Sequence, residues 1–433
     1  MSITSTGDVA PATAPLVART VQLHGPFAQS ALLSALPRED ALAWIRHGEG
    51  LVGWGETARI VTRGAARFSQ AADWWRQISA HAIVRNEVNL PGTGPVAFGT
   101  FGFADHSCAE STLVVPEVIL GRKGDTTWVT TIGTTSRLVG GADLSDHSVD
   151  RFTSPGRVEF RPGAVTPAQW RAKVEHAVER IDSGEMDKVV LARDVLARTE
   201  QDVDPRWILE QLSDQYPTCW TFFVRGIIGA TPEMLLRSEK GLVTSRVLAG
   251  TIQRTGNDEA DLAHAATLAR SSKDLEEHEY SVRSVADVLE PVCDSMNVPD
   301  APFVLHLPNV MHLASDVTGV LRAHAPGTSS LELAAALHPS AAVCGTPTPL
   351  ADAAIAEIEG MDRDRYAGPV GWIDANGDGE WGIALRSAVI SDEDPRSVRL
   401  FAGCGIVAAS DPHTELAESE AKLQPMRQAL SPR

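Results

Sequence analysis

FAGCGIVAASDPHTELAESEAK, residues 401–422, begins as a glycine-broken apolar strand and ends as a helix. At ~100° per residue, Glu415, Glu418 and Lys422 fall within ~60° of arc on one helical face. Leu416, Leu423 and Leu430 form an apolar stripe beside them. Two acids and a lysine at the edge of a core-facing stripe ask for a purpose beyond solubility. The glycines invite a dinucleotide fold, but GCGIVAAS (403–410) lacks the third glycine of G-x-G-x-x-G and no βαβ unit follows it. Long strands and helices alternate irregularly along the chain. That pattern favours an α+β fold over a parallel doubly wound sheet.

The chain has 433 residues, 43% hydrophobic and 22% charged, enough for a sizeable core. Its formal charge is −18 with no Lys/Arg-rich run, which argues against nucleic-acid or anionic-membrane partners. An anionic substrate would need locally supplied positive charge. Cysteines 108, 219, 293, 344 and 404 show no CxxC or Cys/His metal spacing and read as reduced thiols. The opening residues carry no signal-peptide pattern and no run approaches a membrane span, so a soluble, cytoplasmic protein is expected.

Residues 1–15 read as a flexible tail. From 16 to 160 short β-like runs dominate: VARTVQL, GLVGWG, ARIVT, GPVAFGTFGF, STLVVPEVIL and TTWVTTIG. TSPGRVEFRPGAV (153–165) is the best linker. Thr166-Pro167-Ala168-Gln169 then predicts a capping box opening a helix that buries Trp170, Val174, Ala177 and Ile181 and stops at Gly184. A long helix is expected over 274–289. YAGPVGWID-ANGDG-EWGIALRSAVI reads as a hairpin. Its DANGDG turn resembles an EF-hand start, but Leu385 occupies the twelfth position. His413-Thr414-Glu415 matches the H-x-E of zinc deaminases without their PCxxC, and is taken as chance.

Four features carry chemistry. Asp274 and Glu277 lie at i,i+3 beside the stripe Leu275, Val282, Val285 and Leu289, and Glu415 with Glu418 repeats the arrangement. One acidic helix edge is ordinarily solvated; two suggest an oxygen-lined site for a hard cation. In EWGIALRSA, Arg386 is expected to share a strand face with Gly382 and Ala384, opposite Trp381, Ile383 and Leu385. It is either solvent-exposed or the wall of a pocket gripping a carboxylate. Lys188, opening DKVVLAR, is normally exposed; buried, it could serve as a base. Glu233, after Gly-Ala-Thr-Pro, is uninformative alone, but desolvated it could stay protonated and act as an acid.

DKVVLAR, GATPEMLLR, VLAGTIQR, SKDLEEHE, MHLAS, HPSAAVCGTP, YAGPVGW, GEWGIALR and FAGCGIV–SDP–ELAESEAK together resemble, in order, the chorismate-utilising enzymes. These are the isochorismate and salicylate synthases and the larger components of anthranilate and aminodeoxychorismate synthases. The resemblance implies one α+β domain over 16–433, with two large stacked antiparallel sheets flanked by helices. The β-rich part would be 16–160 and the motif-bearing part 166–430.

It also implies roles. Glu277 and Glu418 would hold Mg²⁺ against the ring carboxylate of chorismate, supported by Asp274 and Glu415, with Lys422 approaching the same carboxylate. Tyr366, Arg386 and the N–H of Gly403 would take the enolpyruvyl carboxylate. His338 and Thr346 would line the ring pocket, and Gly250 and Thr251 would also contact substrate. Lys188 would activate water and Glu233 would protonate the leaving hydroxyl.

Ammonia-using branches generally carry glutamine where Lys188 stands. The nucleophilic lysine of the aminodeoxychorismate branch is replaced by Ala249, and an LLES motif is missing. YPTCW (216–220) stands where the anthranilate branch has a PSPY-like stretch. The usual E-W-x-E-T reads Glu415-Leu416-Ala417-Glu418-Ser419, expected to alter packing alone. The resemblance therefore points to a Mg²⁺-dependent isochorismate synthase feeding menaquinone or siderophore synthesis. The alternatives are a salicylate synthase and, further off, an anthranilate-type enzyme. A monomer without a glutaminase subunit is expected.

Overall fold

The strand Lys188–Thr199 pairs antiparallel with Ser397–Ile406 through ten residues, from Val189↔Ile406 to Arg198↔Ser397. This pairing anchors a sheet of 13 strands among the described residues, and a second sheet has ten. The computed structural model describes residues 14–137, 152–322 and 328–432, so the expected tail lies outside it except for its last two residues. Eight α-helices occur among them. They are α1 (Arg67–Ala80), α2 (Pro167–Asp182), α3 (Pro205–Gln215), α4 (Asp258–Leu268), α5 (Ser272–Leu289), α6 (Ser330–Leu337), α7 (Thr348–Ile358) and α8 (Pro412–Leu430). None is long and apolar enough to cross a membrane.

The fold is α+β, with two large sheets of predominantly antiparallel strands and helices around them. N-terminal strands complete both sheets. Trp44 is in register with Phe222 in the larger, and Gly99 with Gly371 in the smaller. One apolar cluster joins the sheets, with Trp44 and Phe222 from the larger and Phe98 and Trp381 from the smaller, each at most 1% exposed. Each such side chain contributes about 1.5–3 kcal/mol relative to exposure.

Helix signals around the site read correctly. Thr166 and Gln169 form the reciprocal capping box, with Gln169 N donating to Thr166 Oγ1 at 3.3 Å and Thr166 N donating to Gln169 Oε1 at 2.9 Å. Trp170, Val174, Ala177 and Ile181 are buried, and Gly184 sits at φ +79° just past the helix. On α8, Thr414 N donates to the N-cap Asp411 Oδ1 at 2.8 Å. The helix packs on α2, α3 and the strand Ser397–Ile406.

Elsewhere tertiary context overrides local pattern. The stretch 16–160 is not purely β-like, because α1 buries Ala71, Ala72, Trp74, Trp75 and Ile78 on one face. Its N-terminus has no side-chain cap, so the usual start signal is missing. The strands Leu16–Leu23 and Ile83–Asn86 pair in parallel. STLVVPEVIL splits at Pro116 into Ser111–Val115 of the smaller sheet and Val118–Lys123 of the larger, since proline cannot continue the ladder. The linker stretch 153–165 contains the edge strand Val158–Pro162, paired with residues 195–199. The hairpin forms, but its second strand ends at Ile383. Arg386 consequently leaves the expected alternation and adopts φ +48°.

Thr166→Ala removes the side-chain half of a complete capping box and should lower stability by about 1 kcal/mol, read as a reduced urea midpoint at unchanged slope.

Candidate active site

Residues dispersed between positions 233 and 422 line one cavity: Glu233, Gly250, Thr251, Glu277, His312, Tyr366, Arg386, Gly403, Glu418 and Lys422. Leu248, Ala249, Ala342 and Val343 supply an apolar wall. Backbone irregularities deliver several of these groups. The strand Leu242–Gln253 shifts register between Ala249 and Thr251, with Gly250 at φ +76° forming the bulge. A Cβ on Gly250 would stand 2.9 Å from the Asp274 Cβ, so glycine lets α5 close onto this strand. A Cβ on Gly405 would lie 2.2 Å from Glu277 Oε1 and 3.1 Å from Lys188 Cε. Arg386, 7% exposed, holds a left-handed conformation that costs a non-glycine residue about 1–3 kcal/mol.

Two lysine–glutamate pairs meet at the cavity: Glu277, Glu418 and Lys422 line it, and Lys188 pairs with Glu277 without reaching the wall. Lys188 is fully buried, with Nζ 3.1 Å from Glu277 Oε1 and 3.4 Å from Ser281 Oγ. The exposed-lysine reading is thereby overturned. Lys422 Nζ lies 2.5 Å from Glu418 Oε1 and donates to Gly403 O at 3.0 Å. Burial pulls the Lys422 pKa down, but the Glu418 carboxylate more than reverses this, leaving it above that of an ordinary lysine. Burial pushes the Glu233 carboxyl up to about 8, so it is largely protonated at neutral pH. Burial likewise raises the Tyr366 phenol, whose ring stacks on Phe401 at 5.1 Å.

His312 belongs to this site although the sequence reading passed over it. Arg386 Nη2 donates to His312 Nε2 at 3.0 Å, which places the ring proton on Nδ1. Nδ1 faces Thr251 Oγ1 at 3.1 Å and Gly250 O at 3.4 Å. Burial, then Arg386 and Lys422, push the His312 pKa well below 6.5, maintaining the neutral form that can accept from an arginine. Arg363 also reaches the cavity but is occupied by Glu359 and by the carbonyls of Val190 and Val343. Its sequence surroundings gave no signal.

The acidic edges converge. Glu277 of α5 and Glu418 of α8 line the same cavity, and Glu415 is 2% exposed beneath them. Among the described residues, one donor atom each from Cys404, Glu415 and Glu418 lies within 4.8 Å of the others. Glu277 of α5 is not part of that group, in which the carboxylates of Glu415 and Glu418, both on α8, are the oxygens that would suit a hard divalent cation.

Five expected residues are not on the cavity wall: Lys188, Asp274 and Glu415, which adjoin Glu277, Gly250 and Glu418, and Thr346 and His338, which lie elsewhere. Thr346 pairs with Lys188 in a short ladder but is not on the cavity wall. His338 faces a separate cavity, held there by donation from Nε2 to Phe103 O at 2.8 Å and by packing against Phe68 and Phe103.

The family described as chorismate binding enzyme matches residues 25–431, and the chain belongs to that family. The salicylate biosynthesis isochorismate synthase of Pseudomonas aeruginosa is 33% identical over 411 residues, covering 90% of this chain and 84% of that protein. Isochorismate synthase DhbC of Bacillus subtilis is 38% identical over 275 residues, 61% of this chain and 68% of its own. A solved structure described as a 2,3-dihydroxybenzoate-specific isochorismate synthase, DhbC, from Bacillus anthracis matches with a TM-score of 0.75. It is 31% identical, covering 92% of this chain and 98% of that one.

The folded protein keeps the Glu233 proton up to about pH 8, whereas an unfolded chain releases it near the ordinary carboxyl range. This contribution to stability therefore declines as pH rises from about 4.5 to 8. Glu233→Gln removes the titration, so its stability relative to the parent should rise by a few kcal/mol across that window, measured by urea unfolding at each pH.

Proposed function

We propose that this enzyme is an isochorismate synthase, converting chorismate to isochorismate by adding water at C2 and expelling the C4 hydroxyl. The observation that carries this reading is one cavity lined by Glu233, whose carboxyl burial pushes up to about 8, by Arg386 and Lys422, and by Glu277, against which the fully buried Lys188 is paired. Lysine at position 188, where ammonia-using relatives generally have glutamine, supports water as the nucleophile. The names of the relatives point the same way.

Chorismate is a dianion, and the protein is strongly acidic overall, so recognition depends on the cavity's own cations. Arg386, oriented by His312, together with Tyr366 and the Gly403 N–H, takes the enolpyruvyl carboxylate. Lys422 takes the ring carboxylate. Lys188 removes a proton from water as the oxygen attacks C2. The ring double bond shifts, and Glu233 delivers a proton to the departing C4 oxygen. Glu277 and Glu418 would hold Mg²⁺, supported by Asp274 and Glu415. When bound, that ion neutralises the ring carboxylate and polarises the conjugated system.

Product analysis tests the reading, using chorismate and Mg²⁺ with and without ammonium and chromatographic separation. Isochorismate in equilibrium with chorismate, without pyruvate, is the expected result. Salicylate with matching pyruvate would instead assign the salicylate synthase reaction, and an aminated product would remove Lys188 from its role as water-activating base. Lys188→Ala should reduce turnover by about 10²–10⁴-fold, the usual range for a general base. Because Glu233 must carry its proton to act as an acid, turnover should fall as pH rises through about 8. A rate still climbing at pH 9 would refute that role.

A further inference from the structure

Arg386 stands where the chain crosses between the two sheets, from the strand Gly379–Ile383 to the strand Ser387–Ile390. Its backbone adopts φ +48°, and Ala230 N donates to its carbonyl at 3.2 Å. A fixed backbone does not fix so long a side chain, and something must hold the guanidinium. The other buried arginines are held by carboxylates. Arg67 pairs with Asp105, Arg193 with Glu420, Arg206 with Asp204 and Arg363 with Glu359. Arg386 has no such partner among the described residues, and its Nη2 donates instead to His312 Nε2 at 3.0 Å.

The difference has a physical consequence. A carboxylate partner would hold the guanidinium more strongly, but it would also cancel the charge and compete with an incoming anion. A neutral imidazole fixes the direction of the fork and leaves its charge and remaining N–H groups for a ligand. Arginine only donates, so Nε2 presents its lone pair and the ring proton sits on Nδ1. The imidazole is held in turn. His312 is opposite Thr251 in the ladder between Leu242–Gln253 and Val310–Leu321, with Nδ1 3.1 Å from Thr251 Oγ1 and 3.4 Å from Gly250 O.

Resting on the assignment of Arg386 to the enolpyruvyl carboxylate, we propose that His312 is the positioning residue for Arg386. It fixes the guanidinium without cancelling its charge, and Thr251 holds the imidazole for that task.

Two probes test this by isothermal titration of the full chain in Mg²⁺: 3-(carboxymethoxy)benzoate, with a ring and a side-chain carboxylate, and 3-methoxybenzoate, with the ring carboxylate alone. The dicarboxylate should bind about tenfold more tightly, and Arg386→Ala should abolish that advantage. His312→Leu should weaken the dicarboxylate about tenfold and spare the monocarboxylate, with no further loss in an Arg386→Ala background. His312→Gln keeps a neutral acceptor and should recover most of the loss. His312→Glu keeps an acceptor but adds a negative charge, and should not. In turnover, His312→Leu should raise the KM for chorismate by a larger factor than it lowers kcat. A dicarboxylate advantage that is absent, or that survives Arg386→Ala, would remove Arg386 from its assigned role and the proposal with it. An advantage lost in Arg386→Ala but kept in His312→Leu or His312→Glu would overturn the role of His312 alone. So would equal weakening of both probes by His312→Leu.

Discussion

The ladder between Lys188–Thr199 and Ser397–Ile406 is the constraint on which the site depends. It puts Lys188 beside Gly405 and carries α8, with Glu415, Glu418 and Lys422, onto the sheet from the adjoining chain segment. Slipping this ladder by one residue would reverse the face of every side chain in it. The two glycines matter for the same reason. The lack of a side chain at Gly250 lets α5 close onto the strand there, and at Gly405 it lets Glu277 of α5 and Lys188 meet over the sheet.

Electrostatics explain why such a cavity is tolerable inside the protein. An unpaired buried charge is expensive, and a buried pair is secure only when its geometry is good and its remaining donors are satisfied. Lys188 is matched by Glu277, Lys422 by Glu418 and the Gly403 carbonyl, and Arg386 rests against a neutral imidazole. Glu233 avoids the problem by retaining its proton. Positive groups are therefore concentrated at this cavity, within a molecule of formal charge −18.

Much of this was legible in the sequence because helical spacing is a local property. The acidic edges on α5 and α8, the capping box and the ANGDG hairpin all follow from residues within a few turns of one another. What escaped depends on distant partners. Lys188 opens a strand, a position ordinarily exposed, and is buried because α5 covers it. The spacing of EWGIALRSA implied continued alternation, but the strand ends before Arg386, whose left-handed backbone turns it into the cavity wall. His312 sits among apolar strand residues and reads as core until its contact with Arg386 is seen. His338 was assigned by resemblance to the ring pocket, and its bond to Phe103 holds it on another cavity. The helix α1 lacked a capping signal and was hidden among β-like runs.

The buried charges Arg193 and Asp194, in the middle of the strand Lys188–Thr199, have a consequence for synthesis. In the finished sheet Arg193 bonds Ser419 and Glu420, and Asp194 pairs with Arg399. All three partners belong to the C-terminal segment, roughly 200 residues later, which at ~5–20 residues per second emerges some 10–40 s after the strand. During that interval the strand's open edge displays two charges in an otherwise apolar run, a device that discourages pairing with foreign strands. The same charges then become internal contacts when the last strand and helix arrive. The charges that oppose foreign pairing of the strand are thus the groups that hold the terminal segment in place.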